Sequence, residues 1–283
     1  MPYQNVYTPR IYLNIPEYLA STGAVIDPVF RTLPVSESAI TTFHTDFGGV
    51  TLTNPYVAIL GHSANVINLT TTETTTPIIN GTITSTLAGF SIFDVDSMPT
   101  AITFTDTDEG EVADAGSILL GTYYDFPHSP DLKLSLSYSY EGIKETTTRG
   151  GATLTNQFYN KPPAWGSLGA WELGGEPKYA KSGRRVWDLS FSYLADSSVF
   201  PDNAGLANET ADGNSTLLEA DSFQRVIHLT NGGQIPFIFQ SDGTASPPKP
   251  DQLAIAKFDM NSFKFDLVGN SVYNCKIKIR EVW

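Results

Sequence analysis

The sequence predicts a mainly β protein, built of antiparallel β-sandwich or barrel modules with one substantial helix packed on the C-terminal sheet. Three observations predict it. Period-two alternation of apolar and polar residues recurs through the last hundred residues, the pattern of strands with one face buried. Short apolar runs broken by Gly, Pro, Asn and Asp fill residues 50 to 125, which is the spacing of a sandwich or barrel. A single capping box stands before one apolar helical stripe. Of the 283 residues 41% are hydrophobic and 12% aromatic, enough for a large core and weighted toward strands. All-β folds reach about 250 residues as one unit. Two modules sharing a sheet or a linker therefore suit this length, and they could equally form one continuous domain.

Residues 1–35 read as an N-terminal arm, because Pro9, Pro16, Pro28 and Pro34 interrupt every candidate element. Only RIYLNI and a turn around EYLASTG are legible there. The arm lies over a core or a neighbouring subunit, or it is an irregular entry strand. Residues 36–125 form a β module from the runs TLTNPYVAILG, VINLTTT, PIINGTITSTLAGFSIF, AITFT and SILLGTYY. Residues 126–283 form a second β module with the helix. It opens with LKLSLSYSY, where Leu132, Leu134, Leu136, Tyr138 and Tyr140 share one face and Glu141-Gly142 makes the turn. The stretch RGGATLTNQFYNKPPAWGSLGAWELGG reads as a long loop, and such loops are commonly interfacial.

In GRRVWDLSFSY, Trp187, Leu189, Phe191 and Tyr193 alternate with Asp188, Ser190 and Ser192. A polar stretch from Ala195 to Ser215 follows. Thr216 and Glu219 then bracket the capping box of a helix predicted over Leu217 to Thr230, with Phe223, Val226 and Ile227 as its stripe and Asn231-Gly232-Gly233 as its stop. IPFIFQ is nearly all apolar and reads as a central strand. SFKFDL places Phe263, Phe265 and Leu267 on one face, and VYNCKIKIR ends the chain with Tyr273, Cys275, Ile277 and Ile279 opposite Lys276, Lys278 and Arg280.

The net charge of −13 argues against nucleic acid as a partner, since phosphate binding needs a basic surface. No run reaches the roughly 18 apolar residues of a membrane span, and MPYQNVYTPR lacks a charged region followed by an apolar one. The chain is therefore read as neither secreted nor membrane-inserted. The N-x-Thr triplets at Asn68, Asn80, Asn208 and Asn214 then reflect Thr-rich composition. The lone Cys275 reads as a small core hydrophobe.

No catalytic or cofactor motif is present: His44, His62, His128 and His228 lie far apart, and neither a zinc pattern, a G-x-S-x-G, a P-loop nor a dinucleotide fingerprint occurs. The expectation is no enzyme, no metal and no cofactor. TDTDEGEVAD, with Asp106, Asp108, Glu109, Glu111 and Asp114, departs from the calcium-loop rule because Gly110 falls at position five. It reads as a solvated acidic turn, with pairing to a basic surface as its other use. Lys276, Lys278 and Arg280 offer such a surface, and two readings of them stand: a charged interface, or protection of an edge strand. Trp165 and Trp171 in the long loop complete the interface candidates.

The runs GRRVWDLSFSYL, FQRVIHLTNGGQIPFIFQSDG, LAIAKFDMNSFKFDLVGNSVYNCKIKIREVW and YYDFPHSPDLKLSLSYSYEGIKETTTRGGATLTNQFYNKPPAWG resemble structural proteins of tailed bacteriophages, especially of marine viruses. They cover about residues 121 to 283. The layout resembles distal tail or baseplate proteins, with tail-tube proteins as near kin. That resemblance implies a homo-oligomeric ring, commonly a hexamer, located in the virion after synthesis in the host cytoplasm and bound to other tail and baseplate proteins, with no membrane partner. The rival expectation is a carbohydrate-binding β-sandwich at the tail tip, with Trp165, Trp171 or tyrosines stacking on sugar rings.

Overall fold

Alternating segments become strands wherever a long-range partner buries one of their faces, and here the partners join both ends of the chain. A computed structural model describes residues 6–21, 38–39, 42–44, 52–60, 66–70, 79–82, 90–95, 101–105, 114–115, 117–132, 134–139, 143–157, 184–201, 221–244 and 252–282. Among them the protein is mainly β. In chain order the elements are β1 (Arg10–Tyr12), α1 (Ile15–Ser21), β2 (Ser38–Ala39), β3 (Thr42–His44), β4 (Pro55–Leu60), β5 (Val66–Thr70), β6 (Ile79–Thr82), β7 (Phe90–Asp94), β8 (Ala101–Thr105), β9 (Asp114–Ala115) and β10 (Ser117–Asp125). There follow β11 (Ser135–Ser139), β12 (Ile143–Thr147), β13 (Thr153–Gln157), β14 (Arg184–Ala195), α2 (Asp196–Val199), α3 (Phe223–Leu229), β15 (Phe237–Gln240), β16 (Leu253–Phe258), β17 (Phe265–Gly269) and β18 (Val272–Glu281).

Ten strands form one antiparallel sheet in the order β11-β14-β18-β16-β15-β1-β10-β4-β7, with β17 paired to β18 off that path. A four-stranded sheet, β3-β8-β5-β6, and two ribbons, β12-β13 and β2-β9, stand apart from it. The strand of the N-terminal arm, β1, lies between β15 and β10: Tyr12 is in register with Ile238 on one side and Tyr123 on the other. It thus joins strands of the two segments expected as separate β modules into one sheet.

The core follows the pleat. On one face Trp187, Leu189 and Phe191 of β14 meet Cys275, Ile277 and Ile279 of β18, Ala256 and Phe258 of β16, and Phe237 and Phe239 of β15. Helix residues Val199, Phe223, Val226 and Leu229 cover them. Phe126 stacks on Phe191 with ring centres 4.4 Å apart, and Trp187 lies 5.0 Å from Phe239. The central strands also bury their other face, where Tyr12, Tyr56, Ala58, Leu119, Ile238 and Ile255 form a second cluster. This double burial explains why β4 and β15 read as unbroken apolar runs.

Several local expectations are revised. Over the described residues the predicted helix is the two turns of α3, which ends as expected at Asn231, Gly232 and Gly233, all with positive φ. Its capping box lies outside the described residues, and Ser222 occupies the cap position. The turn around EYLASTG is the short helix α1. The first part of the long loop is strand: β12 and β13 form a hairpin closed by Gly151 at φ +83°. LAIAKF, not expected as an element, is β16, buried except at Lys257. β11 starts only at Ser135, leaving Leu132 fully exposed before it while Leu134 and Leu136 pack on the core. Tyr140 and the Glu141-Gly142 turn lie outside the described residues.

A bulge shifts the apolar phase of β14. On β14 the register slips between Phe191, opposite Cys275, and Leu194, opposite Tyr273. Leu194 therefore takes the core position expected of Tyr193, which is 79% exposed with φ +62°. On β17 the register slips only beyond Leu267, which keeps the phase of Phe265 yet is 64% exposed, whereas Phe263 and Phe265 pack against the core. One extra residue in one strand is enough to reverse a side chain's face.

Candidate interaction face

The second face of β11, β14 and β18 carries the polar half of each alternation. In register across it stand Ser190 with Lys276, Asp188 with Lys278, and Val186 with Arg280. β11 extends the face with Ser135 opposite Asp188, Ser137 opposite Val186 and Ser139 opposite Arg184. On the other flank Lys257 of β16 stands opposite Arg280. Lys276 is exposed. The Lys278 ammonium lies 3.2 Å from an oxygen of Asp259, both side chains partly exposed. The face thus carries the cations Arg184, Lys257, Lys276, Lys278 and Arg280 together with the carboxylates Asp131, Asp188, Asp259 and Asp266, the last paired with Lys264. It is a positive patch on a chain of 17 Lys and Arg and 30 Asp and Glu.

β18 pairs with β14 along its length on one side, and on the other with β16 over Ile279–Glu281 and with β17 over Val272–Cys275. The edge-protection reading therefore does not apply to Arg280, which lies inside the sheet; Lys276 and Lys278 stand at the step between β16 and β17, outside both ladders. Of the remaining candidates, Trp165, Trp171, Asp106, Asp108 and Glu109 lie outside the described residues.

Sequence reasoning missed the bulge at the end of this face. Between the Phe191 and Leu194 registers, Ser192 and Tyr193 of β14 both face the single residue Asn274 of β18, on the side shared with Lys276. The Tyr193 amide donates to Asn274 Oδ1 at 3.1 Å, and the Ser192 hydroxyl donates to Asp131 Oδ2 at 2.7 Å. The Tyr193 backbone is thereby tied to Asn274 while its side chain stays exposed. Strict alternation, which assigns Tyr193 to the core, carries no trace of it.

Two polar clusters elsewhere are structural. Arg10 donates from Nε and Nη2 to both oxygens of Asp125, at 2.6 and 2.9 Å, and from Nη1 to Asp94 at 3.1 Å. Its guanidinium carbon lies 3.8 Å from the centre of the Tyr123 ring. Burial works against its charge, yet the bond to Asp125 and the neighbouring charges outweigh that and raise its pKa. This clamp ties β1 to β10 and β7. The second cluster is Arg185 with Glu281, both nearly enclosed. Tyr18 and His228 share a hydrogen bond of 2.8 Å that links α1 to α3, and His128 meets the Ser129 carbonyl at 2.7 Å. Burial pushes the Cys275 thiol up to about 12, with Asp266 adding to the shift, so this thiol stays protonated and unreactive at neutral pH. Among the described residues no three His, Cys, Asp or Glu are grouped to hold a metal ion, and no helix is long and apolar enough to cross a membrane. The chain matches no protein-family model, and no curated protein and no solved structure is significantly similar to it.

Proposed function

We propose that the chain is a non-enzymatic structural protein of a phage tail, assembling with copies of itself into a ring and joining neighbouring tail proteins. The observation that carries the association is the positive sheet face on a chain of net charge −13. Copies this acidic repel one another unless the contact sets cations against anions, and this face supplies the cations. A contact between that face and a different, acidic surface of the next copy is heterologous, and such contacts close into rings when the rotation per subunit allows it. The resemblance of residues 121 to 283 to tail proteins is what suggests the phage setting.

The test is sedimentation velocity of the wild type and of Lys276→Gln/Lys278→Gln/Arg280→Gln, each at low and high salt. Screening beyond about 10 Å at 0.1 M salt weakens contacts between exposed charges. The expected wild type sediments well above its 30.8 kDa monomer mass at low salt and dissociates at high salt. The triple variant stays monomeric and folded. A monomeric wild type, or assembly indifferent to both salt and substitution, refutes the reading.

A further inference from the structure

The stop of α3 holds a chemically reactive pair in a form that resists its reaction. An asparagine followed by glycine is prone to deamidation, because glycine has no Cβ to hinder attack by its backbone nitrogen on the asparagine side chain. Asn231-Gly232 is such a pair, and both residues are exposed. Water and base therefore reach it. The helix end nevertheless closes in the Schellman pattern, in which the two amides past the cap bond back to carbonyls of the last turn. The Gly232 amide donates to the Ile227 carbonyl and the Asn231 amide to the His228 carbonyl, each at 2.8 Å. Thr230, 1% exposed, fastens the same turn. Its hydroxyl lies 2.9 and 3.1 Å from the Val226 and Ile227 carbonyls, and its own carbonyl accepts from the amides of Gly233 and Ile235 at 3.0 and 2.9 Å. The Gly232 nitrogen becomes a nucleophile only on losing the proton that this bonding holds, and Asn231 is fixed at φ +50°.

We propose that Asn231 is a latent deamidation site, shut in the folded chain and released when the end of α3 opens. In the reaction base removes the Gly232 amide proton, the nitrogen bonds to Asn231 Cγ, the Cγ–Nδ2 bond breaks, and the side-chain nitrogen takes up a proton and leaves as ammonia. Water then hydrolyses the succinimide to aspartate or isoaspartate, with no change of oxidation state. Either product puts a negative charge at a helix C-terminus, where the dipole opposes it, and isoaspartate also inserts a methylene into the backbone. The original turn does not reform. Because α3 supplies Phe223, Val226 and Leu229 to the core, conversion records irreversibly that this cover has opened.

Peptide mapping by mass spectrometry of the full chain, held at mildly alkaline pH with and without unfolding urea, tests the site. Native Asn231 is expected to convert at least about tenfold more slowly than in urea. Gly233→Ala keeps the reacting pair but strains the stop, since Gly233 has φ +91° and a Cβ there falls 2.9 Å from Phe258 Cβ. Folded Gly233→Ala, verified by circular dichroism, should convert several-fold faster than native wild type. Native conversion at the urea rate overturns the proposal, as does folded Gly233→Ala that converts no faster than wild type. If Gly233→Ala does not fold, the native-to-urea comparison of the wild type decides alone. The deamidated chain, separated by its added charge, should melt below the wild type, and unchanged melting overturns the irreversible opening.

Discussion

The ion pair of Arg185 and Glu281 offers a stability test that surface charges do not. The two residues face each other at the end of the β14–β18 ladder with side chains 5% and 4% exposed. Arg185 donates from Nε to Glu281 Oε2 at 3.1 Å, from Nη2 to Oε1 at 2.8 Å, and from the same Nη2 to the Leu253 carbonyl at 2.6 Å. The Arg185 backbone amide also donates to Oε2, and the guanidinium lies 5.1 Å from the centre of the Trp187 ring. Glu281→Gln preserves the volume but leaves the guanidinium without its counterion in a site closed to water. Breaking one partner of a buried pair costs about 3 to 5 kcal/mol, which in a protein of this size lowers Tm by roughly 8 to 15 °C. Arg185→Met is expected to cost a similar amount by stranding the carboxylate.

The double variant Arg185→Met/Glu281→Leu removes both charges and fills the site with apolar atoms. It should cost less than either single change and fall within about 2 kcal/mol of wild type. Reversible urea unfolding of Arg185→Met, Glu281→Leu and the double variant, followed by circular dichroism, closes the double-mutant cycle; single losses of about 3 kcal/mol or more against about 2 or less for the double give an expected coupling of about 4 kcal/mol or more. Single variants within about 1 kcal/mol of wild type, or a double variant equal to the sum of the singles, refute the claim that the pair is buried and coupled.

Gly121→Ala tests the crossing of β1 and β10. A Cβ there falls onto the Leu13 carbonyl and within 2.8 Å of Ile15 Cγ1, so a loss of about 3 kcal/mol or more is expected by thermal unfolding, and a near-neutral variant contradicts that approach. Cys275 sets an alkaline limit. Its folded pKa, about 12, lies above its unfolded value, so its contribution is complete below about pH 8.5 and is lost as pH rises toward 12. Tyr12, Tyr56 and Tyr124, raised chiefly by burial, act in the same direction. Urea midpoints should hold from pH 7 to 8.5 and fall above pH 9, and a thiol reagent at pH 8 should label native Cys275 roughly a thousandfold more slowly than unfolded chain. Midpoints that rise with alkali, or prompt labelling of native protein, refute the assignment.

Alternation is a local property, and it was enough to put Trp187, Leu189 and Phe191 on the buried face of one strand and Cys275, Ile277 and Ile279 on that of another, to set Lys276, Lys278 and Arg280 on the opposite face, and to identify IPFIFQ as an interior strand. The mainly β class, the end of α3 at Asn231 to Gly233 and the burial of Cys275 were legible for the same reason: each depends on residues within a few positions of one another. The tertiary structure alone decided who lies beside whom. β1 is three residues long and gains its place from Tyr123 and Ile238, each more than a hundred residues away. β18 lies inside the sheet because β14, β16 and β17 flank it, which takes Arg280 away from any edge and leaves Lys276 and Lys278 at the step between β16 and β17. Arg10 meets Asp94 and Asp125 only once those strands are adjacent. The exposure of Tyr193 required a bulge, which is a mismatch between two strands and so is written in neither of them. Strand identity is carried by the order of side chains along one segment. Register, neighbours and bulges come from the balance of pairing and burial between segments distant in the chain, and with them come the faces this protein turns to solvent.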